Sequence, residues 1–93
     1  MSNSQNFFVK DPDAIKDFSV DWGTNWLGSD VIATSTWIVP IGIIEESNSF
    51  DDDVATIWLS SGTSGQSYEL VNRITTLGGR HDDRSILILV RPT

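Results

Sequence analysis

From Lys16 onward, apolar side chains recur at every second position. Phe18, Val20 and Trp22 alternate with Asp17, Ser19 and Asp21, the pattern of a strand with one buried face. Val31 to Val39 is dense in β-branched residues and predicts a second strand, which Pro40 must end or place at a sheet edge. A short third strand is expected at Ile43-Ile44, before Ser47-Asn48-Ser49 and the acidic run Asp51-Asp52-Asp53, with strand register between Ile41 and Glu46 left open. Val54 to Leu59 reads as a further strand. Ser67 to Thr76 sets Tyr68, Leu70, Asn72 and Ile74 against Glu69, Val71 and Arg73, and Arg84 to Arg91 supplies the last strand.

Turn chemistry separates these runs. Gly23-Thr24-Asn25 and Gly28-Ser29-Asp30 flank Trp26-Leu27, Ser60 to Gln66 forms a Gly/Ser/Thr corner, and Leu77 to Asp83 carries the pair Gly78-Gly79, suited to a hairpin loop with positive φ. No stretch keeps a 3.6-residue period long enough for a helix. The expected architecture is a two-sheet β-sandwich of six to seven short antiparallel strands over residues 15–93. Trp22 is expected in its core with Phe18, Val20, Ile32, Ile57 and Leu59 from the first half, and Leu70, Ile74, Ile86 and Ile88 from the second. Before it lies an extended N-terminal arm, residues 1–14, polar except for Phe7-Phe8-Val9 and interrupted at Asp11-Pro12-Asp13 by the fixed φ of proline. An apolar triplet in a polar segment suggests partner binding through Phe7, Phe8 and Val9; the competing reading is a frayed end or a short edge strand on the domain's own sheet.

Composition narrows the function. Ninety-three residues make one domain. Thirteen carboxylates against six Lys and Arg give a net charge of −7, which disfavours nucleic acid and anionic membrane surfaces as partners. The charge is uneven: residues 1–53 hold ten acids and two bases, residues 54–93 three acids and four bases. Cysteine is absent, so no disulfide or thiolate metal site is available. The N-terminus lacks the pattern of a signal peptide, and no apolar run approaches a membrane span.

Candidate chemistry is sparse. His81 is the single histidine and is expected in an exposed loop; neither a His-rich metal site nor a Cys-His pair is possible. A Ser-His-Asp arrangement lacks a nucleophile elbow. Asp51-Asp52-Asp53, with Asp82-Asp83, offers oxygen ligands for Ca²⁺ without EF-hand spacing. Ser61-Gly62-Thr63-Ser64-Gly65 lacks the Lys-Ser/Thr ending of a phosphate loop. No catalytic residue, metal or cofactor is assigned. Of the four tryptophans, Trp26 sits between turns and is the candidate for contact with a partner, or with a sugar if the domain is a carbohydrate-binding module.

Two resemblances add to this. Gly65 to Ile74 resembles the E-to-F corner of immunoglobulin and fibronectin type III domains, which implies an immunoglobulin-like sandwich with Tyr68 as a structural corner, its hydroxyl bonded to backbone between Ser61 and Gly65. A wider pattern runs from Lys10-Asp11-Pro12-Asp13-Ala14 through Val20-Asp21-Trp22, Trp26-Leu27-Gly28-Ser29-Asp30 and Ser35-Thr36-Trp37. It continues in Thr56-Ile57-Trp58-Leu59-Ser60, Asn72-Arg73-Ile74-Thr75-Thr76, Gly79-Arg80 and Asp82-Asp83-Arg84-Ser85. Over residues 10–91 it resembles a family of small tailed-bacteriophage structural proteins, fibre-tail adaptor or neck-region proteins. That resemblance implies a non-enzymatic virion component, made in the host cytoplasm, that assembles in several copies with other virion structural proteins at the tail, neck or fibre attachment site. Capsid decoration is the alternative.

Overall fold

The computed structural model describes residues 6–93, so the first five residues of the expected arm lie outside the described residues. Seven strands follow in chain order: β1 (Asn6–Lys10), β2 (Lys16–Asp21), β3 (Ile32–Ile38), β4 (Ile43–Phe50), β5 (Val54–Ser61), β6 (Ser67–Thr76) and β7 (His81–Val90). One helical turn, α1 (Gly23–Leu27), interrupts them. They form a four-stranded sheet in the order β1-β7-β6-β3 and a three-stranded sheet in the order β2-β5-β4. The architecture is the immunoglobulin-like sandwich that the alternation and the corner motif imply.

Strict alternation places the core. Phe18 and Val20 of β2 pair with Ile57 and Ala55 of β5, while Leu70, Asn72 and Ile74 of β6 face them from the other sheet beside Ile86 and Ile88 of β7. All ten residues expected in the core are buried. Within this apolar layer lies one polar chain. The Trp22 indole donates to Asn72 Oδ1 at 2.9 Å, and Asn72 Nδ2 donates to the Ser35 hydroxyl at 2.9 Å and the Thr36 carbonyl at 3.2 Å. Every polar atom of the Asn72 side chain is thereby partnered.

Four local expectations change. β1 lies parallel to β7, with Phe8 opposite Ile88, so Phe7, Phe8 and Val9 form a short edge strand on the domain's own sheet. β4 runs on through Phe50 rather than stopping at Ile44, with a bulge between Glu45 and Ser47. Its polar residues look like a turn because the strand lies at the sheet edge, exposed along most of its length. β7 starts at His81, which pairs with Thr75 instead of lying in the loop; the exposed His81–Asp83 overhangs the core and therefore shows no alternation. Finally, α1 forms between Gly23 (φ 63°) and Gly28 (φ 61°), two positions where a side chain would be strained. A five-residue helix is too short to carry a legible period.

Candidate protein–protein interface

An antiparallel sheet of a sandwich is ordinarily apolar on the face turned to the core and polar on the other. The three-stranded sheet obeys this rule in part, presenting Asp17, Ser19 and Thr56 outward, with Trp58 at 41% exposure and, on edge strand β4, Ile44 at 52% and Phe50 at 42% as its exposed large apolar residues. The four-stranded sheet does not. Alternation along its strands turns Phe7 and Val9 (β1), Leu87 and Leu89 (β7), Val71 (β6) and Ile38 (β3) away from the core. The register joins them: Phe7 lies opposite Leu87, Val9 opposite Leu89, and Ile38 opposite Val71. Phe7 is 55% exposed and Ile38 45% exposed, and the four between them are half-buried. The resulting apolar patch touches all four strands but is bridged between β7 and β6 only on the diagonal from Leu87 to Val71, since Glu69 lies opposite Leu87 and Ser85 opposite Val71.

The sequence signal for this patch is Ile86-Leu87-Ile88-Leu89-Val90, five consecutive apolar residues. Such a run marks a strand covered on both faces. Reading only the even positions as core finds Ile86 and Ile88 and misses Leu87 and Leu89.

Of the residues expected to bind a partner, Phe7 and Val9 belong to this patch and Phe8 does not. Phe8 turns inward and packs on Phe18, ring centroids 5.2 Å apart. Lys10, also inward and fully buried, fastens the end of β1: its amine donates to the Ser61 carbonyl at 2.7 Å and the Asp11 carbonyl at 2.9 Å. Burial lowers its pKa, opposed by the nearby carboxylates of Asp11 and Asp13. The carbonyl it reaches belongs to Ser61, the one non-glycine residue at positive φ (65°) among the described residues. These contacts explain why residues 6–10 stay on the domain.

Trp26 is half-buried. Its ring tilts against Trp22 at 5.3 Å, and the Arg80 guanidinium lies 4.3 Å from its centroid. Arg80 also donates to the Trp26 and Leu27 carbonyls at 2.7 and 2.8 Å, satisfying the C-terminal carbonyls of α1. Asp30 completes the cluster, accepting from the Val31 and Gly78 amides and from Arg80. Hydrogen bonding from the Thr76 hydroxyl, then from those amides and Arg80, outweighs desolvation and holds the Asp30 carboxyl at about 2. The cluster ties the α1 turn to the β6–β7 hairpin and covers part of Trp26.

The remaining candidates take structural roles. Tyr68 is buried and its hydroxyl accepts from the Thr63 amide at 2.9 Å, within the expected Ser61–Gly65 segment. Gly42 (φ 109°) packs against its ring so closely that a Cβ there would lie 3.0 Å from Tyr68 Cε1. Asp51 accepts the Asp53 and Val54 amides, closing the β4–β5 turn, and Asp83 is held by Arg73 through two bonds of 2.9 and 3.1 Å. No group of three metal-ligating side chains suited to a metal ion occurs among the described residues, and no helix there is long and apolar enough to cross a membrane.

Comparison with known proteins gives one family and one fold. A family model described as podophage GP4 fiber-tail adaptor protein gp77 matches residues 10–89. Among solved structures, the PKD domain from KIAA 1837 protein is similar in fold. It shows 15% identity and a TM-score of 0.55, over 97% of this chain and 82% of that one. No curated protein matches the chain.

Proposed function

Since the chain belongs to the podophage GP4 fiber-tail adaptor family, we propose that it is a non-enzymatic structural component of the virion that joins tail proteins through the outer face of its four-stranded sheet. The observation that carries this reading is the apolar patch from Phe7 to Ile38, which touches all four strands on a face that water would otherwise cover. Covering such a patch contributes at about 25 cal/mol per Å² of apolar area, several kcal/mol in all. That is of the order needed to offset the translational and rotational cost of association. Contiguous exposed apolar surface of this kind marks interaction sites.

The sandwich supplies a rigid support for that face. Core packing beneath β6 and β7 fixes the strands, Lys10 holds β1 in register, and Arg73 with Asp83 borders the patch with a neutral pair. Cryo-electron microscopy of purified particles tests the reading. The expected result is density for the sandwich at the tail, with Leu87 and Val71 against another protein. Density on the capsid shell, or a sandwich whose four-stranded face is open to solvent, contradicts it.

A further inference from the structure

Glu69 is the exception within the patch. It lies on the outer face of β6 directly opposite Leu87, and with Phe7, Ser85, Ile86 and Leu87 it lines a cleft of about 370 Å³. Its carboxylate makes no ion pair or side-chain hydrogen bond with the described residues. A protein that covers the apolar patch must therefore cover this carboxylate as well, and a buried unpaired charge is strongly unfavourable.

Most of the chain's own cations are engaged elsewhere. Five of its six are engaged internally: Lys10 on the Ser61 carbonyl, Lys16 over the Phe18 ring, Arg73 on Asp83, Arg80 on Asp30 and Trp26, and Arg84 on Trp22 and the Asp21 carbonyl. The sixth, Arg91, lies past the end of β7. A second copy would also bring a charge of −7 against −7. Charge complementarity thus selects an unlike partner.

Resting on the adaptor reading, we propose that the four-stranded face binds an apolar surface of a different virion protein from which one Arg or Lys enters the Phe7–Glu69–Leu87 cleft and pairs with Glu69. The aliphatic stem of such a residue lies along Phe7 and Leu87 while its head meets the carboxylate, the arrangement in which long cations cover apolar surface. A basic residue in a desolvated pocket is a common interface anchor.

The test counts copies of the protein per purified particle by quantitative mass spectrometry, for phage carrying Glu69→Lys, Glu69→Gln or, on the other sheet, Asp17→Lys. Circular dichroism checks that each variant is folded. Glu69→Lys is expected to lower the copy number tenfold or more, Glu69→Gln by less, and Asp17→Lys to leave it unchanged. Normal incorporation of Glu69→Lys, or an equal loss with Asp17→Lys, overturns the proposal. Sedimentation of the purified wild-type protein decides the occupant: a monomer is expected, and a dimer that Leu87→Asp dissociates overturns the proposal in favour of a second copy. If wild-type protein is itself absent from particles, the adaptor reading fails, whatever Glu69 does.

Discussion

Single side chains in this domain owe their roles to what lies opposite them. Trp22 and Trp37 are both buried indoles, but Trp22 donates into the Asn72 network while Trp37 Nε1 has no hydrogen-bond partner among the described residues. Replacing Trp22 by Phe leaves Asn72 Oδ1 unpaired in the core, whereas replacing Trp37 by Phe removes an unpaired donor. Trp22→Phe is therefore expected to cost about 1–3 kcal/mol more than Trp37→Phe in urea melts, and Trp22→Ala about 3–5 kcal/mol. Tyr68→Phe strands only the amide of exposed Thr63, which water can satisfy, so its cost stays near about 1 kcal/mol. At this scale the sequence was legible where a motif fixes a partner, as for Tyr68. Lys10 was not legible, because nothing local indicates that its amine reaches a carbonyl fifty-one positions away.

Among the elements, strand existence followed from alternation and strand ends did not. β4 and the start of β7 extend past the core, where polar residues occupy both faces and the period of two carries no signal. α1 owes its place to tertiary bonds, chiefly from Arg80 to its last carbonyls, with Asp30 holding Arg80 and the Gly78 amide. Two expectations follow from that clasp. Gly78→Ala would set a Cβ 2.8 Å from Asp30 Oδ2, so it should lower the melting temperature and loosen Trp26, seen as increased acrylamide quenching. Asp30 has a folded pKa of about 2, below its ordinary 3.8. Its contribution to stability is therefore complete above about pH 4 and is lost as the pH falls toward 2. Thermal melts between pH 7 and 2 should show a shallower acid limb for Asp30→Asn than for wild type, with a lower melting temperature at pH 7.

For the whole molecule, the distribution of charge and apolar surface divides the two sheets. The acids of the first fifty-three residues fall largely on the three-stranded sheet and its turns, while the outer face of the four-stranded sheet is apolar at the β1–β7 end and polar toward the Arg73–Asp83 and Thr34–Thr75 pairs, with Glu69 as an acid that has no ion-pair partner among the described residues. The fold class and the family were legible in the sequence. The proposed interface was legible only in part, since Phe7 and Val9 were conspicuous in a polar segment, while Leu87, Leu89, Val71 and Ile38 gained meaning once register set them on one face. The most direct test of the claim that this face attaches the protein to the tail is incorporation of Leu87→Asp into particles, with the double variant Leu87→Thr, Leu89→Thr as a β-compatible second case. The account predicts that both remain folded, with two-state melts, and are depleted from purified particles at least tenfold relative to wild type. Folded variants incorporated at the wild-type level would contradict it.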